Sequence, residues 1–321
     1  MAEREALVIG AGVIGLTTAV RLREAGWRVR IRAAAPPERT TSAVAAALWY
    51  PYRVGPDALV AAWGERSYEV FRHLAANAAT GVRMTHGIEL LPLDADPRDF
   101  PEWAAHIPDF RVARANEVPD GRVGWAFTVP VADTGAYLRW LAARFAEHGG
   151  EVEIARVASL AEVAGEFPLI VNCAGLGARE LAGDGAMRPV RGQIVRVENP
   201  GLGEFWLDEH HPDGLLYIIP RGGDVVLGGT ADEGKEDTEP DAAVAEAIVR
   251  RAVAVTPALA GARVLEHRVG LRPWRPEVRL EAEPAGGATV IHNYGHGGAG
   301  VTLSWGCAEQ VVRLAGAAAE G

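Results

Sequence analysis

A strand, a glycine-rich turn, a helix and a second strand follow one another within residues 7–32, and this order constrains the fold more than any other feature. The turn has G-x-G-x-x-G spacing, formed by Gly10, Gly12 and Gly15. In such a turn the first glycine permits a sharp bend, the second lets a pyrophosphate approach the backbone, and the third lets the helix pack close to the strand. The N–H groups at the helix start offer a site for phosphate oxygens. The segment predicts a dinucleotide site on a parallel sheet; a βαβ unit without ligand is the alternative.

This segment leaves open which dinucleotide binds. An acidic residue about 20 positions after the glycines normally accepts the ribose hydroxyls of the adenosine. Here the second strand runs into residues 33–37, which contain no Asp or Glu, and Glu38 is the first acid. Arg30 and Arg32 would suit the 2′-phosphate of NADP, or they are solvated charges on the strand edge. NADP and FAD are both compatible with these residues.

The composition is that of a soluble globular protein long enough for two domains. Apolar residues make up 49% of the 321 residues, charged residues 23%, and the net charge is −10. An acidic chain without a basic cluster predicts no nucleic-acid partner and no membrane contact, and no apolar run is long enough to span a bilayer. Cys173 and Cys307 have no cysteine neighbour in the sequence, which argues against a disulfide framework or a zinc site. We therefore expect a cytoplasmic protein.

Helical and alternating patterns divide the chain into two kinds of segment. Helices are predicted at residues 56–80, 134–148 and 241–256, with Asp133 as the N-cap of the second. Closely spaced alternating runs in residues 186–265 predict an antiparallel sheet. The predicted fold class is α/β, with a Rossmann-like cofactor domain built on a parallel sheet and interrupted by a β-rich substrate domain. The cofactor domain takes residues 1–50, 132–185 and 266–321, and the substrate domain takes residues 51–131 and 186–265.

Three further segments carry candidate binding residues. Residues 40–52 combine small residues with three aromatics around a proline, which suits either the wall of a flat ligand or a short helix packed in the core. Residues 270–280 hold three arginines among prolines, which suits either a rigid carboxylate clamp or a surface turn of solvated charges. Residues 292–302 form a second glycine-rich loop that opens a helix. Glycines around His292 and His296 disfavour a helical metal pair, so we assign no metal.

Taken together, these segments resemble the FAD-dependent D-amino acid oxidase family, which also holds D-aspartate oxidase. The matching stretches occur in family order: VIGAGVIGLTTAVRL, TTSAVAAALWYPY, IVNCAGLGAREL, RPVRGQIVRV, YIIP with VVLGGT, GLRPWRPEVRLE and HNYGHGGAGVTLSWGCA. The resemblance implies that the cofactor is FAD, so the cofactor domain is an FAD-binding domain. It implies FAD-binding residues at Gly10, Gly12, Val13, Ile14, Gly15, Thr41, Ser42, Ala46, Ala47, Leu48, Trp49, Cys173, Ala174, Gly175, Arg272, Gly295, Gly297, Gly298, Gly300, Val301 and Thr302.

The same resemblance implies the catalytic residues and the reaction. Arg272 would clamp the substrate α-carboxylate, Tyr217 would donate its hydroxyl to the same group, and the backbone carbonyl of Gly298 would accept from the amine. A hydride would pass from the α-carbon to flavin N5, and the imino acid would hydrolyse to a 2-oxo acid and ammonia. O₂ would reoxidise the flavin and yield H₂O₂. No strong side-chain base is needed, because the amine reacts in its neutral form.

Departures from the family bear on the substrate. A second active-site tyrosine of the vertebrate relatives is replaced by Asp213. Three features of D-aspartate oxidases, two arginines and a serine, are replaced by His210, Ala231 and Gly298. We therefore expect neutral D-amino acids as substrates and O₂ as the second reactant, with D-aspartate, glycine or sarcosine oxidation as the alternative. An NADP-dependent reductase and a ligand-binding module without turnover are the other hypotheses. A homodimer is compatible with the sequence.

Overall fold

One mixed β-sheet runs through the described chain. The computed structural model describes residues 4–320, so the first three residues and the last residue of the predicted cofactor domain lie outside it. The strands are β1 (Glu5–Ile9), β2 (Arg28–Ala33), β3 (Val82–Leu90), β4 (Arg111–Val112), β5 (Gly124–Ala132), β6 (Glu151–Ile154), β7 (Leu169–Asn172), β8 (Arg188–Glu198), β9 (Phe205–Asp208), β10 (Leu216–Pro220), β11 (Asp224–Gly228), β12 (Asp232–Glu233), β13 (Val264–Ala285) and β14 (Ala288–His296). The helices are α1 (Val13–Glu24), α2 (Thr41–Val44), α3 (Asp57–Leu74), α4 (Thr134–Glu147), α5 (Leu160–Ala164), α6 (Ala178–Leu181), α7 (Ala242–Val255) and α8 (Gly300–Glu320).

The predicted strand–helix–strand unit is confirmed at the N-terminus. Strand β1 pairs in parallel with β2 on one side and with β7 on the other, so that Val8 lies opposite Ile31 and Val171. Burial on both faces explains why β1 is an uninterrupted apolar run rather than an alternating one. Helix α1 packs against α4 and α8 and covers this part of the sheet. The parallel order continues to β6 at one edge and to β14 beside β7.

The other part of the sheet is mainly antiparallel, as the pattern in residues 186–265 predicts. The order of neighbouring strands is β4-β5-β3-β9-β10-β11-β8, and only the β3–β9 pair is parallel. Helix α7 packs on β8, β10 and β11, with Ile248 fully buried among apolar strand residues. Its N-cap is Asp241, whose side chain accepts from the backbone N–H groups of Ala243 and Val244. These observations confirm the α/β fold class.

Strand β13 joins the two parts and corrects one reading of the sequence. Residues 270–280, which could be a surface turn, lie within this 22-residue strand. Its first half pairs antiparallel with β8 and its second half with β14, and the pairing changes at Trp274. Pro273 lies opposite Pro189 of β8, and its carbonyl accepts from the N–H of Gly297 at 2.9 Å. Pro273 thus lies where one partner strand replaces another, next to an irregularity in the pairing, and such positions tolerate proline.

Helix boundaries differ modestly from those predicted. Helix α3 ends at Leu74 rather than near residue 80, because Asn77 caps a separate 3₁₀ turn and Gly81 adopts φ +71°. The predicted N-cap at Asp133 is confirmed, with Oδ1 accepting from the N–H groups of Gly135 and Ala136. No helix within residues 4–320 combines the length and the apolar character that crossing a bilayer requires.

Candidate active site

A cavity of about 450 Å³ lies where the glycine-rich turns meet the antiparallel strands. It gathers residues that are far apart in sequence: from the turns after β1 and β7, from β8, β9, β10, β13 and β14, and from the segment around α2. The predicted site residues that line it are Gly10, Gly12, Val13, Ile14, Thr41, Ser42, Ala46, Ala47, Leu48, Cys173, Ala174, Gly175, Tyr217, Arg272, Gly297, Gly298, Gly300 and Val301. The structure therefore brings most of the predicted cofactor residues and all three predicted catalytic residues to one concave surface.

Four predicted cofactor residues do not line the cavity but lie behind its walls. A Cβ at Gly15 would lie 1.9 Å from the Gly10 carbonyl oxygen, so this glycine serves the packing of α1. Trp49 is buried and donates its indole N–H to the Gly64 carbonyl. Gly295 has φ +88° and leaves room for the Arg275 side chain. Thr302 bonds through Oγ1 to both the N–H and the carbonyl of Tyr50. The list therefore includes residues that shape the wall without facing the cavity.

The first glycine turn is held open by backbone geometry. Gly10 has φ +112°, and a Cβ there would lie 2.5 Å from the Cys173 carbonyl oxygen. Gly12 caps α1 in an extended conformation, and its own Cβ position lies 3.1 Å from Ser42 Oγ. The N–H of Val13 donates to Ser42 Oγ at 3.0 Å. Residues 40–48 thus combine both readings of the sequence, since the short helix α2 presents Ser42 to the turn and the stretch after it lines the cavity.

The arginines at the end of β2 do not reach the cavity. Arg30 approaches Glu5 at 3.8 Å, and Arg32 donates to Glu153 at 2.9 Å and to Glu166 at 2.8 Å. These partners carry the negative charge that an NADP 2′-phosphate would otherwise supply. Arg39 does line the cavity, beside residues 33–35. No periodic pattern indicates Arg39, because it lies in a three-residue 3₁₀ helix that begins at Pro37.

Two buried polar atoms in cavity-lining residues have no protein partner. They are Asn293 Oδ1 and His296 Nε2. Asn293 uses its amide nitrogen to donate to Thr18 Oγ1 at 3.2 Å, and burial lowers the pKa of His296 to about 3, so its ring is neutral. Unpaired buried polar atoms are costly, and a polar ligand in the cavity would satisfy them. Together with the glycine turn, they fit the donor and acceptor groups of FAD.

The histidines do not form a metal site. Within residues 4–320 no cluster of three or more His, Cys, Asp or Glu side chains is arranged to hold a metal ion. His292 and His296 lie on β14, and His292 pairs with Glu283 at 3.1 Å.

At the other end of the cavity, Arg272 and Tyr217 lie together. The Arg272 guanidinium donates to the Thr230 carbonyl at 2.9 Å and occupies the space that a Cβ at Gly192 would fill. The Tyr217 ring lies in the same way over Gly228, where a Cβ would come within 2.0 Å of the ring. Burial raises the pKa of Tyr217, and neighbouring Arg272 only partly offsets this, so the phenol remains a proton donor. A rigid cation and a neutral donor side by side suit a carboxylate ligand.

Two carboxyl groups that no sequence pattern indicated, those of Glu209 and Glu89, lie beside the site with Tyr50 from the aromatic segment between them. Glu209 and Tyr50 line the cavity, and the Tyr50 hydroxyl is hydrogen-bonded with Glu89 Oε1 at 2.8 Å. Glu89 is only 6% exposed, and its Oε2 has no partner. Burial, helped by Glu209 and Asp208, raises the pKa of Glu89 to about 8 despite the bond to Tyr50. No local pattern could reveal the cluster, because its members lie on separate segments.

The raised pKa of Glu89 predicts a pH-dependent stability. Between about pH 4.5 and pH 8 the unfolded chain loses this proton while the folded protein keeps it, so stability falls as pH rises. Glu89→Gln keeps the bond to Tyr50 but cannot ionise. We expect the variant to match the parent near pH 5 and to exceed its free energy of unfolding by roughly 1–3 kcal/mol at pH 8. Denaturant unfolding at both pH values measures the difference in free energy of unfolding between variant and parent. The same difference at pH 5 and pH 8 would contradict the prediction.

Comparisons with known proteins agree over almost the whole chain. It is 57% identical over 315 residues to the D-amino-acid oxidase of Rubrobacter xylanophilus, covering 98% of this chain and 96% of that protein. It is 36% identical over 323 residues to the D-aspartate oxidase of Homo sapiens, covering 96% and 93%. The solved glycine oxidase from Geobacillus kaustophilus shares the fold, with a TM-score of 0.81 at 18% identity over 98% of this chain and 95% of that one. A model of the FAD dependent oxidoreductase family matches residues 5–314, and the chain therefore belongs to this family and has FAD as its cofactor.

Proposed function

We propose that the protein oxidatively deaminates D-amino acids and prefers neutral side chains over acidic ones. The observation that carries the proposal is the single cavity that joins the glycine-lined wall to the Arg272–Tyr217 pair. D-Amino-acid oxidase relatives at 57% and 51% identity support the reaction class. In this proposal residues 1–50, 132–185 and 266–321 bind FAD, while residues 51–131 and 186–265 bind the substrate.

Each proposed catalytic residue has a distinct role in holding the substrate. Arg272 binds the α-carboxylate, supported by its fixed position between Gly192 and the Thr230 carbonyl. Tyr217 donates its phenolic proton to the same carboxylate. The carbonyl of Gly298 accepts from the amine; a Cβ at this position would lie 2.6 Å from the Tyr52 ring, so a side chain would disturb the wall there.

These contacts orient the substrate rather than transfer its protons. When bound, FAD supplies the hydride acceptor for the α-carbon, and O₂ takes the electrons onward to give H₂O₂. The amine reacts in its neutral form, so the chain need not provide a strong base. The residues named above fix the α-carbon in one place, and such positioning is a large part of the catalysis expected here.

The preference for neutral substrates rests on where the other arginines point. Arg221 donates to Asp224 at 2.7 Å, Arg275 to Asp184 at 3.0 Å, and neither lines the cavity. Arg39 is the other arginine in the cavity lining, and it follows β2, on the side of the first glycine turn. In this proposal a second carboxylate beside the Arg272–Tyr217 pair is therefore buried without a dedicated cation, which is costly. His210 is exposed and also lies outside the cavity lining.

Anaerobic reduction tests the reaction itself. Under nitrogen, D-alanine or D-valine should bleach the flavin spectrum of the purified protein, and L-alanine should not. A flavin that stays oxidised with every D-amino acid would instead indicate a binding module without turnover.

Initial rates of peroxide production test the substrate preference. We expect kcat/KM near neutral pH to be higher for D-alanine, D-valine and D-methionine than for D-aspartate, because only the last brings a second charge into the cavity. A higher kcat/KM for D-aspartate than for all three would replace the proposal by D-aspartate oxidation.

A cytoplasmic location is also part of the proposal. It is supported by the two buried cysteines, Cys173 and Cys307, which are free rather than joined in a disulfide. A homodimer stays a prediction from the sequence.

A further inference from the structure

We propose that Glu209 selects substrates by side-chain charge, so that its carboxylate favours D-amino acids with a cationic side chain over uncharged ones of the same length and disfavours acidic ones. The proposal rests on the function proposed above, since it assumes that Arg272 holds the α-carboxylate. Once that group is fixed, the substrate side chain must extend into the remainder of the cavity, whose lining includes the carboxyl group of Glu209.

The sheet places Glu209 well away from Arg272. Glu209 directly follows β9, and Arg272 lies on β13, four strands further along the sheet. Neighbouring strands are about 4.8 Å apart, so the two backbones are separated by roughly 19 Å. Tyr52 also lines the cavity, with the Arg272 guanidinium 6.0 Å from its ring centroid. Burial raises the pKa of the Tyr52 phenol, Arg53 and Arg272 lower it, and Glu209 raises it further, so Tyr52 is near both charges. The cavity lining thus holds a cation where the α-carboxylate would bind and a separate carboxyl group at Glu209.

Tyr50 connects Glu209 with the buried Glu89. The Tyr50 hydroxyl donates to Glu89 Oε1 at 2.8 Å. Burial raises the pKa of Glu209, and hydrogen bonding with Tyr50 partly offsets this effect. Glu209 and Tyr50 line the cavity and Glu89 does not, so the carboxyl group that faces the substrate is that of Glu209.

The charged groups around Glu209 leave room for a cationic ligand. Arg53 and His210 are the neighbours that favour its ionised form, and both are exposed to solvent. Neither has a hydrogen-bond geometry with Glu209 that would occupy its carboxylate, and neither lines the cavity. The other nearby acid, Asp208, is fully buried and paired with Arg122 at 2.8 Å. An ammonium or guanidinium at the end of a substrate side chain would therefore meet an available carboxylate.

The test compares pairs of substrates that differ mainly in charge. For D-lysine against D-norleucine, Glu209→Gln should lower the ratio of kcat/KM values by roughly tenfold, because a charge-assisted hydrogen bond is lost. For D-glutamate against D-glutamine, the same variant should raise the ratio by a similar factor, because a repulsion is removed. Glu204→Gln is the matched control: Glu204 is exposed, pairs with His86 and lies outside the cavity, so both ratios should stay at the parent values.

A second variant of Glu209 and the activity of the parent protein distinguish failure of this inference from failure of the proposed function. Glu209→Ala removes the same charge by a different substitution, and the flavin spectrum of each variant shows whether it is folded. If a folded Glu209 variant leaves both ratios within twofold of the parent, this inference is overturned. If the parent protein oxidises neither D-norleucine nor any other D-amino acid, the proposed function itself fails, which is a distinguishable result.

Discussion

Replacing Arg272 by methionine is expected to lower kcat/KM for every D-amino acid. The expected loss of transition-state stabilisation is about 2–5 kcal/mol. Methionine fills similar space but removes the charge that would pair with the α-carboxylate. That carboxylate would then enter the cavity with only the Tyr217 hydroxyl as a donor. A buried charge without a partner of opposite charge raises the free energy of the bound state. Steady-state peroxide production with D-alanine and D-valine measures the loss.

Two further variants test whether the loss is specific to Arg272. Arg275→Met removes an arginine three residues away that pairs with Asp184 and does not line the cavity, so it should leave kcat/KM nearly unchanged. Tyr217→Phe removes one hydrogen bond from a neutral donor and should cost only about 0.5–1.5 kcal/mol. If the tyrosine change were the more damaging of the two cavity variants, the roles assigned to Arg272 and Tyr217 would be wrong.

Substituting Gly12 by valine is expected to abolish retention of FAD. The Cβ position of Gly12 already lies 3.1 Å from Ser42 Oγ, and the two methyl groups of valine would extend into the cavity from there. They would occupy the approach of the pyrophosphate and disturb the bond from the Val13 N–H to Ser42. The ratio of flavin to protein absorbance after purification is the direct measurement.

The control variant makes the same glycine-to-valine substitution at another position of the chain. Gly203 has nothing within 4 Å of its Cβ position and no unusual φ, so Gly203→Val should purify with the parent content of flavin. Circular dichroism of both variants tests that the fold is kept. A folded Gly12→Val protein saturated with FAD would refute the assignment of the first glycine turn to the cofactor.

The parts of the fold that could be predicted are those fixed by local chemistry. The glycine turn needs a particular spacing and a positive φ at Gly10, and both are written in a few consecutive residues. The cap at Asp133 follows from a side-chain acceptor placed just before a helical run. The family resemblance extended this to the cavity, whose lining includes most of the predicted cofactor residues, because its stretches recur in one order along the whole chain.

The parts that could not be predicted depend on partners distant in sequence. Arg30 and Arg32 suggested a phosphate until the structure showed their carboxylate partners on other segments. The bond between Tyr50 and Glu89 joins a loop to a strand 39 residues away. A surface turn was one reading of residues 270–280, because prolines disfavour strand interiors. The structure instead places Pro273 where the partner of β13 changes from β8 to β14, next to an irregularity in the pairing.

The change of pairing partner along β13 has a consequence for how such a protein can be altered. Arg272 lies two residues before Trp274, and the Pro273 carbonyl accepts from the N–H of Gly297 at 2.9 Å. The proposed anchor for the carboxylate and the proposed acceptor for the amine, Gly298, are therefore tied by one short backbone link. Neither Glu209 nor the part of the cavity around it takes part in that link. Substitutions around Glu209 can change which amino acid is accepted while the reacting carbon keeps its position, so the reaction and the substrate selectivity can evolve separately.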